Sequence, residues 1–180
     1  MGLSDIKKEL KKLEKDTLIN LIADLYKKNK AVKELFDYYL NPNEQELFEK
    51  YRTKVYEAFF PKRGFGFNLK EGKKAISDFK KFEPSPKLVA DLMLVYVESG
   101  VQFTNSYGDI DENFYSSLES TYEAALTLIK KENLLGKFMY RAEEIVRKAN
   151  GIGWGFPYAL SQTYLDCYAD YSGGMDDEDE

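Results

Sequence analysis

Between residues 86 and 107 the chain reads PKLVADLMLVYVESGVQFTNSY, and from Leu88 to Val97 only Asp91 is not apolar. A helix that is apolar nearly all round has no face to give to water, so the pattern predicts a central helix over 86–107 enclosed by others. The flanking segments have the one-sided pattern suited to enclosing it. Ile6, Leu10 and Leu13 share one helical face behind Ser4 as N-cap. Leu18, Leu21, Ile22 and Leu25 do the same behind Asp16, and Val32, Leu35, Phe36 and Tyr39 between Ala31 and Leu40. Helices this short are marginal alone, so each is expected to bury its stripe on a neighbour, packed as hairpins.

After Asn41-Pro42-Asn43, Leu47, Tyr51, Val55 and Phe59 mark a fourth helix that ends at Phe60-Pro61. The loop KRGFGFN (62–68) precedes a helix from Leu69 to Phe82, and Glu83-Pro84-Ser85-Pro86 is a rigid break. Beyond the central helix, in which Gly100 is a weak point, the turn Gly108–Asp111 leads into a helix bearing Phe114, Leu118, Tyr122, Ala125 and Ile129. Asp109 and Glu112 have capping-box spacing there. Leu135, Phe138, Ala142 and Ile145 define the next helix, which Asn150-Gly151 closes as a left-handed cap. A loop, GIGWGFP (151–157), separates it from a last helix with Leu160, Tyr164, Cys167 and Tyr168. The count is about nine helices, with no strand and no fixed-period repeat. The predicted fold is all-α: one domain over residues 1–172, an irregular bundle or short helical array around residues 86–107. A candidate subdomain break lies near 83–86, and residues 173–180 are read as a disordered acidic tail.

Composition is that of a folded protein: 180 residues, 43% apolar and 32% charged. The net charge of -5 is unevenly spread: residues 1–83 hold 19 Lys and Arg against 14 Asp and Glu, residues 84–180 hold 7 against 17. There is no histidine, which excludes Ser-His-Asp and Cys-His nucleophiles and His-bearing metal sites. Cys167 is the only cysteine, so it has no partner for an internal disulfide; it reads as an inert core thiol in a reducing compartment. The longest apolar run is about half the ~20 residues a bilayer requires. A cytoplasmic protein without membrane attachment is expected.

Chemistry has three candidate locations. Lys62, Arg63, Lys70, Lys73 and Lys74 surround a glycine-bearing loop that runs into a helix N-terminus, a setting in which backbone can approach an anion. Phe65 and Phe67 in that loop either stack on a base or tuck into the core. The turn Asp109-Ile110-Asp111-Glu112-Asn113 opens like a calcium loop, but Phe114 stands at position six and Ser120 at position twelve, so capping explains its acids better. Asp91 must pair with a Lys or Arg or line a cavity, and could join Glu98, Glu119 and Glu123 in an acidic cluster. Asp91, Asn105, Tyr107, Asp109 and Asp111 form a candidate polar site at the exit of the central helix. Trp154, between two glycines, is read as an inward anchor. No catalytic residue, cofactor or metal set emerges.

The strings LYKKNKAVKELFDYYLNPNEQEL, FFPKRG, LVADLMLVYVESGVQFTNSYGDIDENFY and GIGWGF together resemble a family of small bacterial proteins, a domain of unknown function, from about Ser4 to Tyr171. The resemblance implies a bacterial cytoplasmic protein of helical fold and carries over no activity or catalytic residues. The function expected from the residues is a non-enzymatic domain that binds another protein in a groove between helices. Nucleic-acid or polyanion binding through residues 62–74 is the alternative, and a carboxylate enzyme or metal site at Asp91 or Asp109/Asp111 the third.

Overall fold

The structure, a computed structural model, describes residues 2–171. The expected acidic tail lies outside them. Among the described residues there are nine α-helices and no strand. In chain order these are α1 (Leu3–Leu10), α2 (Lys15–Lys28), α3 (Lys30–Leu40), α4 (Glu44–Glu57), α5 (Leu69–Lys80), α6 (Pro86–Tyr107), α7 (Glu112–Lys131), α8 (Leu135–Lys148) and α9 (Phe156–Tyr168). The chain divides into two compact units at residue 43/44. The segment 83–86 is a bend inside the second unit, where Pro84 is buried and Pro86 opens α6.

The second unit is built around α6. Of its 22 residues 14 are buried, because α4, α5, α7 and α8 all pack against it. Leu92, Leu94, Tyr96 and Val97 have no exposed surface. Gly100 is not a weak point: α6 runs through it unbroken, and a Cβ there would lie 2.5 Å from both methyls of Leu118, so its missing side chain lets α7 approach closely. Aromatic rings fill the space between α4, α6 and α7, with Phe59 edge-on to Tyr96 at 5.0 Å and Phe67 edge-on to Phe114 at 4.8 Å.

Three tyrosines sit wholly inside, and their hydroxyls find partners in the protein. Tyr96 shares a 2.8 Å hydrogen bond with Ser117, Tyr122 donates to the Ala142 carbonyl at 2.9 Å, and Tyr115 donates to Asp109. Burial pushes the Tyr96 and Tyr122 phenols up from their ordinary range, so both remain neutral donors. Cys167 is buried too, and burial raises its thiol, as befits an unreactive core position.

Helix ends follow local chemistry with some reassignment. Asn29 caps α3, Asn68 caps α5, and Asp111 caps α7 by accepting from Phe114 N at 2.8 Å. Asp111, immediately before α7, therefore takes the cap in place of Asp109. Gly2 and Glu14 occupy the N-cap positions of α1 and α2 in place of Ser4 and Asp16, which lie inside their helices. Glu44 reaches out of the first turn of α4 to accept from Ser85 N at 2.8 Å and Ser85 Oγ at 3.1 Å, joining the starts of α4 and α6.

The first unit is α1 to α3. Here α2 and α3 pack on each other through a one-residue connection, Asn29, with Tyr26 donating to Asp37 at 2.7 Å and Lys33 over the Tyr26 ring. The stripes are where the periodicity puts them, but none of the three helices buries a single residue. The expectation that each hairpin buries its own stripe is overturned: two short helices cover only one flank of each other.

Candidate functional site

In the second unit, Asp91, Val95, Glu98 and Gln102 are spaced by four, three and four residues, which puts them on one face of α6. This face is one wall of a groove of about 840 Å³ that also takes Phe48, Tyr56 and Phe60 from the α4 region and Arg141 from α8. The Arg141 guanidinium crosses the groove. Its Nε and Nη2 donate to the two oxygens of Glu98 at 2.7 and 2.8 Å, and Nη1 donates to Asp91 at 2.7 Å. Burial works against the charge on Arg141, but the hydrogen bonds and charges of Glu98 and then Asp91 outweigh it and raise its pKa further. Asp91 is thus paired with an arginine, one of the two roles its position allowed. One guanidinium thus holds two carboxylates of α6 and joins α6 to α8.

The acidic cluster does not assemble as a whole. Glu98 joins Asp91, while Glu119 and Glu123 lie on α7, where burial raises Glu119. Among the described residues no group of three or more acidic or thiol side chains could hold a metal ion.

The exit of α6 is a separate construction. Asn105 donates to the Lys148 carbonyl at 2.9 Å, and Asp109 accepts from Gly153 N at 3.2 Å and from the Tyr115 hydroxyl at 3.1 Å. Asn105 thus ties α6 to the end of α8, and Asp109 ties the turn between α6 and α7 to the loop between α8 and α9. Gly153 is required for this, since a Cβ would come within 2.5 Å of the Asp109 carboxylate. Tyr107, half exposed, belongs to neither construction and meets Phe65 edge-on at 4.9 Å. The five residues of the candidate polar site therefore fall into three places: Asp91 in the groove, Asn105, Asp109 and Asp111 at the turn, and Tyr107 in an aromatic patch.

The basic loop is also dispersed. Lys62 pairs with Glu57 at 2.6 Å, Lys74 with Asp78 at 2.8 Å, and Lys73 donates to Ser120 at 3.3 Å, while Arg63 and Lys70 are exposed. Asn68 already caps the helix N-terminus on which an anion would sit, and Glu71 adds negative charge to the same turn. The two phenylalanines divide: Phe67 packs inward on Phe103 and Phe114, whereas Phe65 is 77% exposed. Trp154 is not an anchor. It is 60% exposed, with a left-handed φ of 60° that turns the chain immediately before α9.

Exposed apolar side chains are most frequent in the first unit. Eleven large apolar side chains between Leu3 and Leu40 are exposed, among them Leu21 at 43%, Leu25 at 49% and Leu35 at 42%. They recur at helical spacing and so form faces, where isolated apolar residues would be unremarkable. Periodicity marks eight of them, Leu3, Ile19 and Leu40 excepted, as faces to be buried on a neighbouring helix, since it shows that a face is apolar without showing what covers it.

A family pattern matches residues 1–164, from the first helix to most of the last and across both units. The chain belongs to DUF6155, a family of unknown function. Because the family match includes α1 to α3, the apolar helices are part of what defines DUF6155 in this chain. No curated protein and no solved structure matches the chain. No helix among the described residues is long and apolar enough to cross a membrane.

Proposed function

We propose that this DUF6155 protein is a non-enzymatic helical interaction module of the cytoplasm, which binds a protein partner through the apolar faces of α1 to α3. The observation that carries the reading is a unit of three amphipathic helices in which no residue is buried, while α6 in the other unit buries 14 of its 22 residues. Apolar faces at this helical spacing, bordered by charges of both signs, suit an amphipathic helical partner, whose own stripe would complete the packing. Polyanion binding has less support: Lys62 and Lys74 are neutralised by Glu57 and Asp78, so the basic residues do not form a free stripe.

The test is a photo-crosslinking residue placed at Leu21 or Leu25 in the full chain, expressed in living cells. A discrete protein species should be captured, and Leu18→Glu in the same chain should abolish it. Crosslinks confined to the chain's own residues 44–171 would refute the reading.

A further inference from the structure

The groove of the second unit carries an excess of negative charge beside a pair of aromatic rings. We propose that it binds a small organic cation, an amine with an apolar body, at a site separate from the apolar faces of α1 to α3. The ammonium group meets Asp91 and Glu98, and the body lies on Tyr56 and Phe60.

The groove has the size for such a ligand. It holds about 840 Å³, within the range of small-molecule sites, roughly 300–1,000 Å³. It runs along the α6 face that carries Asp91, Val95, Glu98 and Gln102, and both α4 and α8 pack on α6. Its lining mixes charged groups with aromatic rings, which suits a molecule with one charged end and one apolar end.

Charge sets the sign of the ligand. Of the charged residues in the lining, Arg52 pairs with Glu49 and Lys62 with Glu57, so these four cancel. The other three are Arg141, Asp91 and Glu98, one cation shared by two carboxylates, and the groove keeps one negative charge in excess. The pairing also leaves an acceptor open. Both oxygens of Glu98 are taken by the guanidinium, whereas Asp91 is bonded through Oδ1 alone. Its Oδ2 bonds to nothing among the described residues and is not sealed from solvent. An ammonium group has donors only and can use such an oxygen directly, while an anion would have to displace a carboxylate from Arg141 first.

The rings set the distance from charge to body. Tyr56 and Phe60 stack with centroids 4.9 Å apart, and Tyr56 is 42% exposed. Phe60 meets Phe103, which places the pair toward the Gln102 end of the groove. From Glu98 to Gln102 is one helical turn, about 5.4 Å. A ring face attracts a cation as well as an apolar body, so the wall favours the same ligand as the carboxylates do.

Isothermal titration of the full chain with phenethylamine, which sets an ammonium two carbons from a ring, is the test. Saturable binding is expected, weaker by at least about tenfold for the neutral phenethyl alcohol and for the amine on Asp91→Asn. That variant keeps the Arg141–Glu98 pair and with it the joint between α6 and α8. Tyr56→Leu, at a half-exposed position, should also weaken the amine, and amide signals of residues 91–102 should shift on titration. No saturation by about 10 mM amine would overturn the site. Hydrocinnamate binding as tightly as the amine would overturn its sign, and an unchanged affinity in Asp91→Asn would place the amine elsewhere.

Discussion

Replacing Arg141 with methionine removes the guanidinium from the groove and keeps most of the volume of its stem. The residue left behind is not the problem; Asp91 and Glu98 are. Both are about two-thirds to three-quarters withdrawn from water and would face each other's charge with no cation between them. Breaking a fully buried pair costs about 3–5 kcal/mol and an exposed one about 0–1 kcal/mol. With side-chain exposures of 29% for Arg141, 25% for Asp91 and 37% for Glu98, the loss should fall between these, at about 2 kcal/mol. For a chain of this length that lowers the melting temperature by roughly 4–8 °C. The assay is urea unfolding of wild type, Arg141→Met and Asp91→Asn/Glu98→Gln/Arg141→Met, followed by circular dichroism at neutral pH. The triple variant should recover most of the loss, because the two amides no longer require a counter-charge. A single variant within about 0.5 kcal/mol of wild type would mean that water already screens the triad. A triple variant no better than the single one would mean that Arg141 acts by packing α8 on α6.

Three further outcomes follow from named contacts. Tyr122→Phe should cost about 1 kcal/mol in the same assay, since its hydroxyl donates to the Ala142 carbonyl from a fully buried position; no change would deny that bond a role. The Glu144 carboxyl, held by hydrogen bonds from Arg147 and Lys148, is pulled down from 4.5 to about 2. Its folded value is the depressed one, so its stabilising contribution is complete above the unfolded value and is lost as pH falls from there through about 2. Carbon-detected NMR titration should find that midpoint, and Arg147→Gln should move it back toward 4.5; an unmoved midpoint would assign the shift elsewhere. Gly153→Ala should break the contact with Asp109, speed amide exchange over residues 151–155 and leave the emission of Trp154 as red as before, because that ring is already 60% exposed. A blue native emission would contradict the exposure.

Of the polar residues singled out for chemistry, Asp91, Asn105 and Asp109 each make a hydrogen bond that links separate elements of the fold. Asp91 was legible as a residue in need of a partner because its neighbours are apolar. Arg141, 50 residues away, carried no mark that distinguished it from any other arginine on an amphipathic helix. Asp109 and Asn105 were legible as polar, but Gly153 N and the Lys148 carbonyl, which they meet across the fold, are backbone groups that have no sequence signature at all. The signal that could have located the clamp is the glycine: Gly153 has an ordinary place in a turn, and only its approach to Asp109 shows why a side chain is excluded.

Two kinds of information are at work in this chain. Helix content and the central place of α6 follow from local periodicity and from the absence of a polar face between Leu88 and Val97, and both act within a few turns of helix. Membership of an all-helical family was likewise carried by contiguous strings of residues. Tertiary structure decided which neighbour meets which face. It turned Gly100 from a weak point into a close helix contact, set Trp154 outward, and left the stripes of α1 to α3 exposed. Amphipathicity requires that an apolar face be covered, but burial is non-directional and fixes no partner. In the second unit α6 finds its cover among its neighbours, whereas the stripes of α1 to α3 stay exposed although their periodicity is just as clear.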